Sequence, residues 1–245
     1  MELSKKEILS TSWDQTKNNL FILITITIIY LMIMVTLFQI FTIMSPGLAQ
    51  NITSPNIVQA LRAPQISLQQ ILFIIAAILF ITGINLGFIQ ICLNIFKGEG
   101  ANTRQVFSSF HLLVPYIAAT FYYTVVHILI ATPGIIILFI TIKANLNEVF
   151  YYIGILSIII PTLYLSLRLQ FYIYFLIDKD CGLLDSIRKS AHISKGHVYQ
   201  LLVLGIILSL IIQISLIPYF IGLIISIPYS KMATTYLYIQ LEENH

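Results

Sequence analysis

Long apolar runs alternate with short polar segments along the chain, and the runs predict its architecture. Each run extends over about 20 residues or more, the length that an α-helix needs to cross the hydrocarbon core of a membrane. The runs are continuous rather than alternating with a period of two, which favours helices over the strands of a barrel. The candidate spans are residues 20–44, 70–96, 112–142, 149–177, 198–217 and 219–241.

Prolines interrupt this pattern at two places. Pro133 and Gly134 lie inside the third run, which is longer than a bilayer requires, and they predict a break or a kink there. Pro218 alone separates the last two runs. We therefore expect an all-α fold, a polytopic transmembrane helical bundle of about six spans that forms a single integral membrane domain over residues 1–245.

Composition agrees with the apolar runs. Of the 245 residues, 58% are hydrophobic and only 9% are charged, whereas a soluble domain carries about a quarter charged residues. Lipid must therefore replace water around most of the chain. The net charge of +3 is too small to indicate a nucleic-acid partner.

Lysine and arginine are distributed unevenly between the connections. On one side of the predicted membrane there are only two, Arg62 and Lys143. The other side has nine: Lys5, Lys6, Lys17, Lys97, Arg104, Lys179, Arg188, Lys189 and Lys195. Because cytoplasmic connections carry an excess of basic residues, the second side is predicted to be cytoplasmic, and both termini lie on it.

Three polar segments on the predicted cytoplasmic side each precede an outward-going span, and we expect each to form a short interfacial helix. The first begins at Ser4 with a capping-box pattern that ends at Glu7. The second begins at Asn102, with apolar residues at i, i+4 and i+7: Val106, Phe110 and Leu113. The third begins at Gly182, with three apolar residues on one face: Leu184, Ile187 and Ala191.

The third of these segments carries a basic face. Arg188, Lys189 and Lys195 lie on it, together with Asp185 and His192. Such a face is attracted to anionic headgroups, but basic clusters are weak evidence for a particular headgroup. We therefore favour a solvated connector whose charges only enforce topology over specific lipid recognition.

Residues 178–202, with the sequence DKDCGLLDSIRKSAHISKGHVYQLL, resemble the YciC-like family of bacterial inner-membrane proteins. The matching residues are Asp178, Gly182, Ser186, Ser190 and Lys195. The loop KGEGANTRQVF before the third span and the Pro133-Gly134 pair also fit the family, whereas Pro161 stands without a following Gly where the family has Pro-Gly. The family has no established activity, so the resemblance implies a multi-pass architecture and an inner-membrane location.

Two cations lie inside apolar runs, and both are candidates for a lipid site. Arg168 lies about three turns before Asp178, and Lys231 lies about three turns into the last span. The interpretation that we favour is that each extends its charge to the cytoplasmic headgroups. The alternative is that the two share a pocket that holds a lipid phosphate in the inner leaflet. The basic residues Arg188, Lys189 and Lys195 converge on the same zone and are candidates for lipid binding as well.

Neutral polar residues inside the spans are His127, Asn85, Gln90, Asn94 and Gln213. They either line a polar path or form hydrogen bonds between helices. Gly83 and Gly87 form a GxxxG pair, which permits close helix approach but also recurs by chance in apolar segments. The ten acidic residues all lie outside the apolar runs, which argues against an ion-coupled carrier with a carboxylate at the midplane.

The sequence contains no catalytic constellation, no metal-ligand spacing and no cofactor-binding motif. The function that we expect is therefore a non-enzymatic factor that interacts with lipids or with membrane proteins. The predicted partners are membrane lipids, anionic ones in the inner leaflet included, and either other membrane proteins or a second copy of the chain. A small-solute transporter or channel is the first alternative, and a lipid-modifying membrane enzyme is the second.

Overall fold

A computed structural model describes residues 4–44, 67–144, 146–217 and 221–244, and it folds them into helices joined by turns. In chain order the helices are α1 (Lys5–Asn18), α2 (Leu20–Met44), α3 (Leu68–Lys97), a 3₁₀ segment (Thr103–Leu112), α4 (Leu113–Lys143), α5 (Glu148–Leu169), α6 (Tyr172–Asp178), α7 (Leu183–Ile193), α8 (Val198–Ile214) and α9 (Leu223–Glu243).

Four helical stretches of the described chain are long and apolar enough to cross a membrane. They are α2, α3, α4 with the preceding 3₁₀ segment, and α5 together with α6. Helices α7 and α8 meet at an angle of 96°, and they add a fifth span if the bent pair is counted as one. The predicted membrane-protein class is therefore supported at four to five candidate spans.

Helix α9 differs from the other long helices because it lies among protein helices. It contacts α1, α2, α3 and α8. Nine of its residues are buried, and the polar residues Ser226 and Thr235 are among them. The Thr235 hydroxyl donates to the Lys231 backbone oxygen of the same helix at 2.8 Å, whereas the buried Ser226 hydroxyl has no partner among the described residues. A helix whose neighbours are other helices can carry such polar side chains more readily than one surrounded by lipid. This position explains why α9 is less apolar than a helix surrounded by lipid.

Helix α1 packs on α9 through one face of residues four apart: Ile8, Ser12 and Thr16. The Ser4 hydroxyl accepts a hydrogen bond from the backbone N–H of Glu7, so the predicted N-terminal cap is present. The Tyr229 hydroxyl of α9 donates to the backbone oxygen of Leu9 at 3.2 Å. The buried face of α1 therefore covers protein.

The predicted helix after Asn102 is a 3₁₀ helix, and its buried face differs from the expected one. Val106, Ser109 and Leu112 are buried at a spacing of three, because a 3₁₀ helix has three residues per turn. This segment packs on α3 directly over Gly83 and Gly87. The GxxxG pair therefore serves a close approach, here to the 3₁₀ segment.

We expected a break or a kink at Pro133-Gly134, and the break is absent, because helix α4 continues through Pro133 from Leu113 to Lys143. Gly134 instead allows α4 and α5 to pack closely. A Cβ atom at Gly134 would lie 2.8 Å from the backbone oxygen of Gly154 on α5. A helix that is packed along its length against a neighbour can accommodate an internal proline.

Helix α7 buries a different set of residues from the predicted apolar face. Ile187 is buried as expected, but Leu184 is 57% exposed and Ala191 is only half-buried. The buried face is completed by Ser186, Ser190 and Ile193. This face packs on α4, α5 and α6, so contacts with protein decide which side of α7 is covered.

Candidate functional site

Arg168 lies in the last turn of α5, where this helix meets α7. Its Nη1 donates to the Tyr164 hydroxyl at 3.3 Å, and its Nη2 donates to the backbone oxygen of Ala191 on α7. The Nε atom is buried and has no hydrogen-bond partner among the residues that the structure describes. The guanidinium group therefore keeps unused donors and, within the described ranges, has no carboxylate beside it.

Ser190 connects α7 to the backbone beside Arg168. The helical path from Glu148 to Asp178 is interrupted between Leu169 and Tyr172, which leaves backbone groups without their usual helical partners. The buried Ser190 hydroxyl accepts from the N–H of Phe171 and donates to the backbone oxygen of Arg168, both at 3.1 Å. This hydroxyl thereby stabilises the break that positions Arg168 next to α7.

The predicted basic face of α7 is exposed. Arg188 and Lys189 lie on the helix, Lys195 lies two residues beyond its end, and all three side chains are exposed. Lys189 donates to Cys181 Sγ at 3.1 Å and lies 5.9 Å from the centre of the Phe175 ring. Arg168 and this basic face belong to adjoining elements, because Arg168 contacts α7 directly through Ala191.

Lys231, the second predicted phosphate ligand, has a different environment. Its Nζ donates to Asn85 Oδ1 of α3 at 2.8 Å. The neighbouring Met232 and Ala233 are fully buried. Arg168 and Lys231 share no partner among the described residues, since Arg168 contacts α5 and α7 whereas Lys231 contacts α3. A common phosphate pocket for the two cations therefore stays a prediction.

His127 is part of a hydrogen-bonded group between α4 and α5. Its Nε2 lies 3.0 Å from Ser166 Oγ, and its Nδ1 lies 2.9 Å from the backbone oxygen of Tyr123. The Tyr123 hydroxyl donates to the same Ser166 oxygen at 3.2 Å. The Tyr123 ring also stacks on that of Tyr172, which is hydrogen-bonded to Thr120 at 3.1 Å. Sequence reasoning identified only His127 in this group.

The remaining predicted polar residues lie elsewhere. Gln90 Nε2 donates to Asn94 Oδ1 at 3.0 Å, and Asn94 Nδ2 donates to Gln105 Oε1 at 3.4 Å, which ties α3 to the start of the 3₁₀ segment. Gln213 is exposed near the end of α8. The five polar residues therefore form separate sets of contacts rather than one group.

A buried carboxylate that sequence reasoning left unassigned joins three helix ends. The Asp178 side chain is only 4% exposed and pairs with Lys97 at the end of α3. It also accepts a hydrogen bond from the Tyr238 hydroxyl of α9 at 3.0 Å. Lys179 lies 3.8 Å from Asp178 and 2.9 Å from Glu242, and its hydrogen bond to Glu242 is the main cause of its raised pKa. The available signal was an acidic residue immediately after an apolar run.

The described chain is helical with four to five candidate membrane spans. The hydrogen bonds of His127, Ser190 and Lys231 join helices, whereas many Thr hydroxyls bond a backbone oxygen of their own helix. Among the residues that the structure describes, no group of His, Cys, Asp and Glu side chains has the arrangement of a metal site. No protein-family model, no curated protein and no solved structure matches the chain.

Proposed function

We propose that the chain is a multi-pass bacterial inner-membrane protein that binds anionic lipid in the cytoplasmic leaflet and catalyses no reaction. The proposal includes six spans, with α8 and α9 as the last two, and both termini in the cytoplasm. It also includes membership of the YciC-like family, for which the support is the resemblance of residues 178–202.

The observation that carries the lipid proposal is the state of Arg168. It is a half-buried cation on an apolar helix, and the described residues supply it with neutral oxygens only. A cation that lies close to hydrocarbon is usually paired with an anion, and a lipid phosphate supplies one at the headgroup level. The guanidinium group is suited to phosphate because it presents several donors in one plane.

Three exposed basic residues lie on or just after α7, the helix that Arg168 contacts through the backbone oxygen of Ala191. Together with Arg168 they are the cationic surface of the proposal. Arg188, Lys189 and Lys195 have no carboxylate partner in the described part of the chain. Each basic residue close to an anionic membrane surface contributes about 1 kcal/mol of attraction. The charge of this surface therefore favours an anionic lipid over a zwitterionic one.

Native mass spectrometry of the chain released from nanodiscs tests the proposal. The nanodiscs contain phosphatidylglycerol and phosphatidylcholine with the same acyl chains. We expect Arg168→Gln to reduce the number of bound phosphatidylglycerol molecules about five-fold, which corresponds to roughly 1 kcal/mol. The triple variant Arg188→Gln, Lys189→Gln and Lys195→Gln reduces it further, whereas Arg168→Lys retains most of it because the charge remains.

Lys143→Gln is the matched control, because it removes one cation from an exposed position at the end of α4. It leaves lipid binding unchanged if the Arg168 surface is the site. With Cys181 replaced by Ser, slow thiol labelling of the buried Cys92 verifies that each variant is folded. Equal phosphatidylglycerol binding by the wild type, Arg168→Gln and the triple variant would show that this surface is not a lipid site.

A further inference from the structure

A cavity of about 430 Å³, open at the protein surface, lies between α3 and α4, away from Arg168. Its lining residues Ile78 and Phe121 are 57% and 71% exposed. On α3 it is lined by residues at helical spacing that include Ile78 and Thr82, and on α4 by residues that include Tyr116, Thr120 and Thr124. Both helices belong to candidate spans, so the cavity adjoins the lipid phase. Its volume is in the range of small-molecule sites, which are mostly apolar with a few converging polar groups.

The polar groups of this cavity are all hydroxyls. They belong to Thr82, Tyr116, Thr120 and Thr124, and no charged side chain is among the lining residues. A charged ligand group would therefore lose its hydration without gaining an opposite charge, which is unfavourable inside a membrane. A purely apolar chain would leave hydroxyl groups unused. The lining thus selects a ligand that is apolar with an uncharged polar group.

The hydroxyls differ in what they already bind. Thr124 donates to the backbone oxygen of Thr120 in its own helix at 2.8 Å, and the Thr120 side chain is hydrogen-bonded to the Tyr172 hydroxyl at 3.1 Å. The Thr82 hydroxyl has no hydrogen-bond partner among the residues that the structure describes, although it lines the cavity. It is therefore available to a ligand.

The α4 wall of the cavity is held in place from behind. The Tyr172 ring stacks with those of Tyr116 and Tyr123, at centroid distances of 6.4 and 5.7 Å. Tyr123 and His127 are in turn hydrogen-bonded to Ser166 of α5. These contacts fix the rotamers of the wall before a ligand arrives, which lowers the entropic cost of binding.

We propose that this cavity binds an uncharged lipid whose polar group is a hydroxyl or an ester carbonyl, with Thr82 as a hydrogen-bonding residue. Diacylglycerol has this chemistry. The proposal does not depend on the anionic-lipid surface at Arg168, and a variant at Thr82 leaves that surface intact.

Photo-crosslinking of the full chain in phosphatidylcholine nanodiscs tests the proposal. The two probes are a photoactivatable diacylglycerol and a phosphatidylglycerol that carries the same photoactivatable chain, and the labelled peptides are identified by mass spectrometry. We expect the diacylglycerol to label α3 and α4 around the cavity more strongly than the phosphatidylglycerol. Thr82→Val reduces this labelling about five-fold, since it removes one neutral hydrogen bond and keeps the side-chain shape.

Thr132→Val is the matched control, because its hydroxyl lies elsewhere on α4 and donates to Ile128 of the same helix. It leaves the labelling at the wild-type level. Ile78→Trp fills the cavity and abolishes labelling there by both probes. Any of three results would overturn the proposal. They are the absence of diacylglycerol labelling, unchanged labelling in Thr82→Val or Ile78→Trp, and equal labelling by the two probes. Equal labelling would show that the cavity holds acyl chains only.

Discussion

Replacing Gly87 by Ala is the most direct test of the packing between α3 and the 3₁₀ segment. A Cβ atom at Gly87 would lie 1.9 Å from the backbone oxygen of Val106 and 2.6 Å from its Cα atom. Because these are backbone atoms, the whole 3₁₀ segment must move away from α3. Overpacking of this kind costs about 1–3 kcal/mol or more, whereas the better helix propensity of Ala returns at most about 1 kcal/mol.

We therefore expect Gly87→Ala to lower the free energy of unfolding by about 2 kcal/mol. The population of molecules in which the 3₁₀ segment is detached from α3, called the open state below, then increases about 30-fold. Gly83→Ala has a smaller effect, because its new Cβ atom would meet the end of the Phe110 side chain at 2.6 Å, and this ring can rotate away. Gly205→Ala on α8 is the control, since its Cβ atom would have nothing within 4 Å. It leaves stability unchanged or raises it slightly.

The thiol of Cys92 reports this opening. Cys92 is fully buried in the same apolar cluster as Val106, and replacing Cys181 by Ser leaves it as the single cysteine. The labelling rate of Cys92 by a thiol reagent in a mild detergent then measures the population of the open state. Labelling is expected to be fastest in Gly87→Ala, slower in Gly83→Ala, and at the wild-type rate in Gly205→Ala. Equal rates in Gly87→Ala and Gly205→Ala would refute the close contact.

Two further substitutions test buried hydrogen bonds, with the same thiol assay as the measurement. Ser190→Ala should lower the free energy of unfolding by about 1–3 kcal/mol, because it leaves the N–H of Phe171 without a partner. Ser186→Ala should lower it less, since the Ser186 hydroxyl bonds only its own helix. Equal losses in the two variants would contradict this expectation. Lys231→Met should lower the free energy of unfolding by about 1–3 kcal/mol, because it leaves the Asn85 oxygen unpaired. The double variant Lys231→Met, Asn85→Leu should recover most of this stability. Additive losses from the two substitutions would argue against the Lys231–Asn85 hydrogen bond.

The chain itself determined where the long helices lie. The predicted run 20–44 coincides with α2 at Leu20–Met44, and the run 112–142 differs by one residue at each end from α4 at Leu113–Lys143. Such agreement is expected because a segment that is not in contact with water must pair its backbone N–H and C=O groups with one another. A continuous apolar run of this length does so by forming a helix. Local composition is therefore sufficient for these elements.

Tertiary structure decided the features on which the candidate sites depend. The partner of Lys231 is Asn85, which lies 146 residues away in the chain. The 3₁₀ form of the segment after Asn102 and the buried face of α7 depend on the helices that they contact. The carboxylate of Asp178 is buried because the ends of α3 and α9 meet there. None of these contacts can be predicted from a repeating pattern in the local sequence.

The number of membrane spans also depends on how the helices pack and not only on the sequence. An apolar residue looks alike in the sequence whether it faces lipid or another helix, so the number of apolar runs cannot by itself give the number of spans. Helix α9 carries Lys231 and buried hydroxyls because other helices surround it. The hydroxyl-lined cavity likewise depends on tertiary structure, because its lining comes from both α3 and α4. The sequence thus determined which segments are helical and apolar, and helix packing determined which polar groups are paired and which remain available to a ligand.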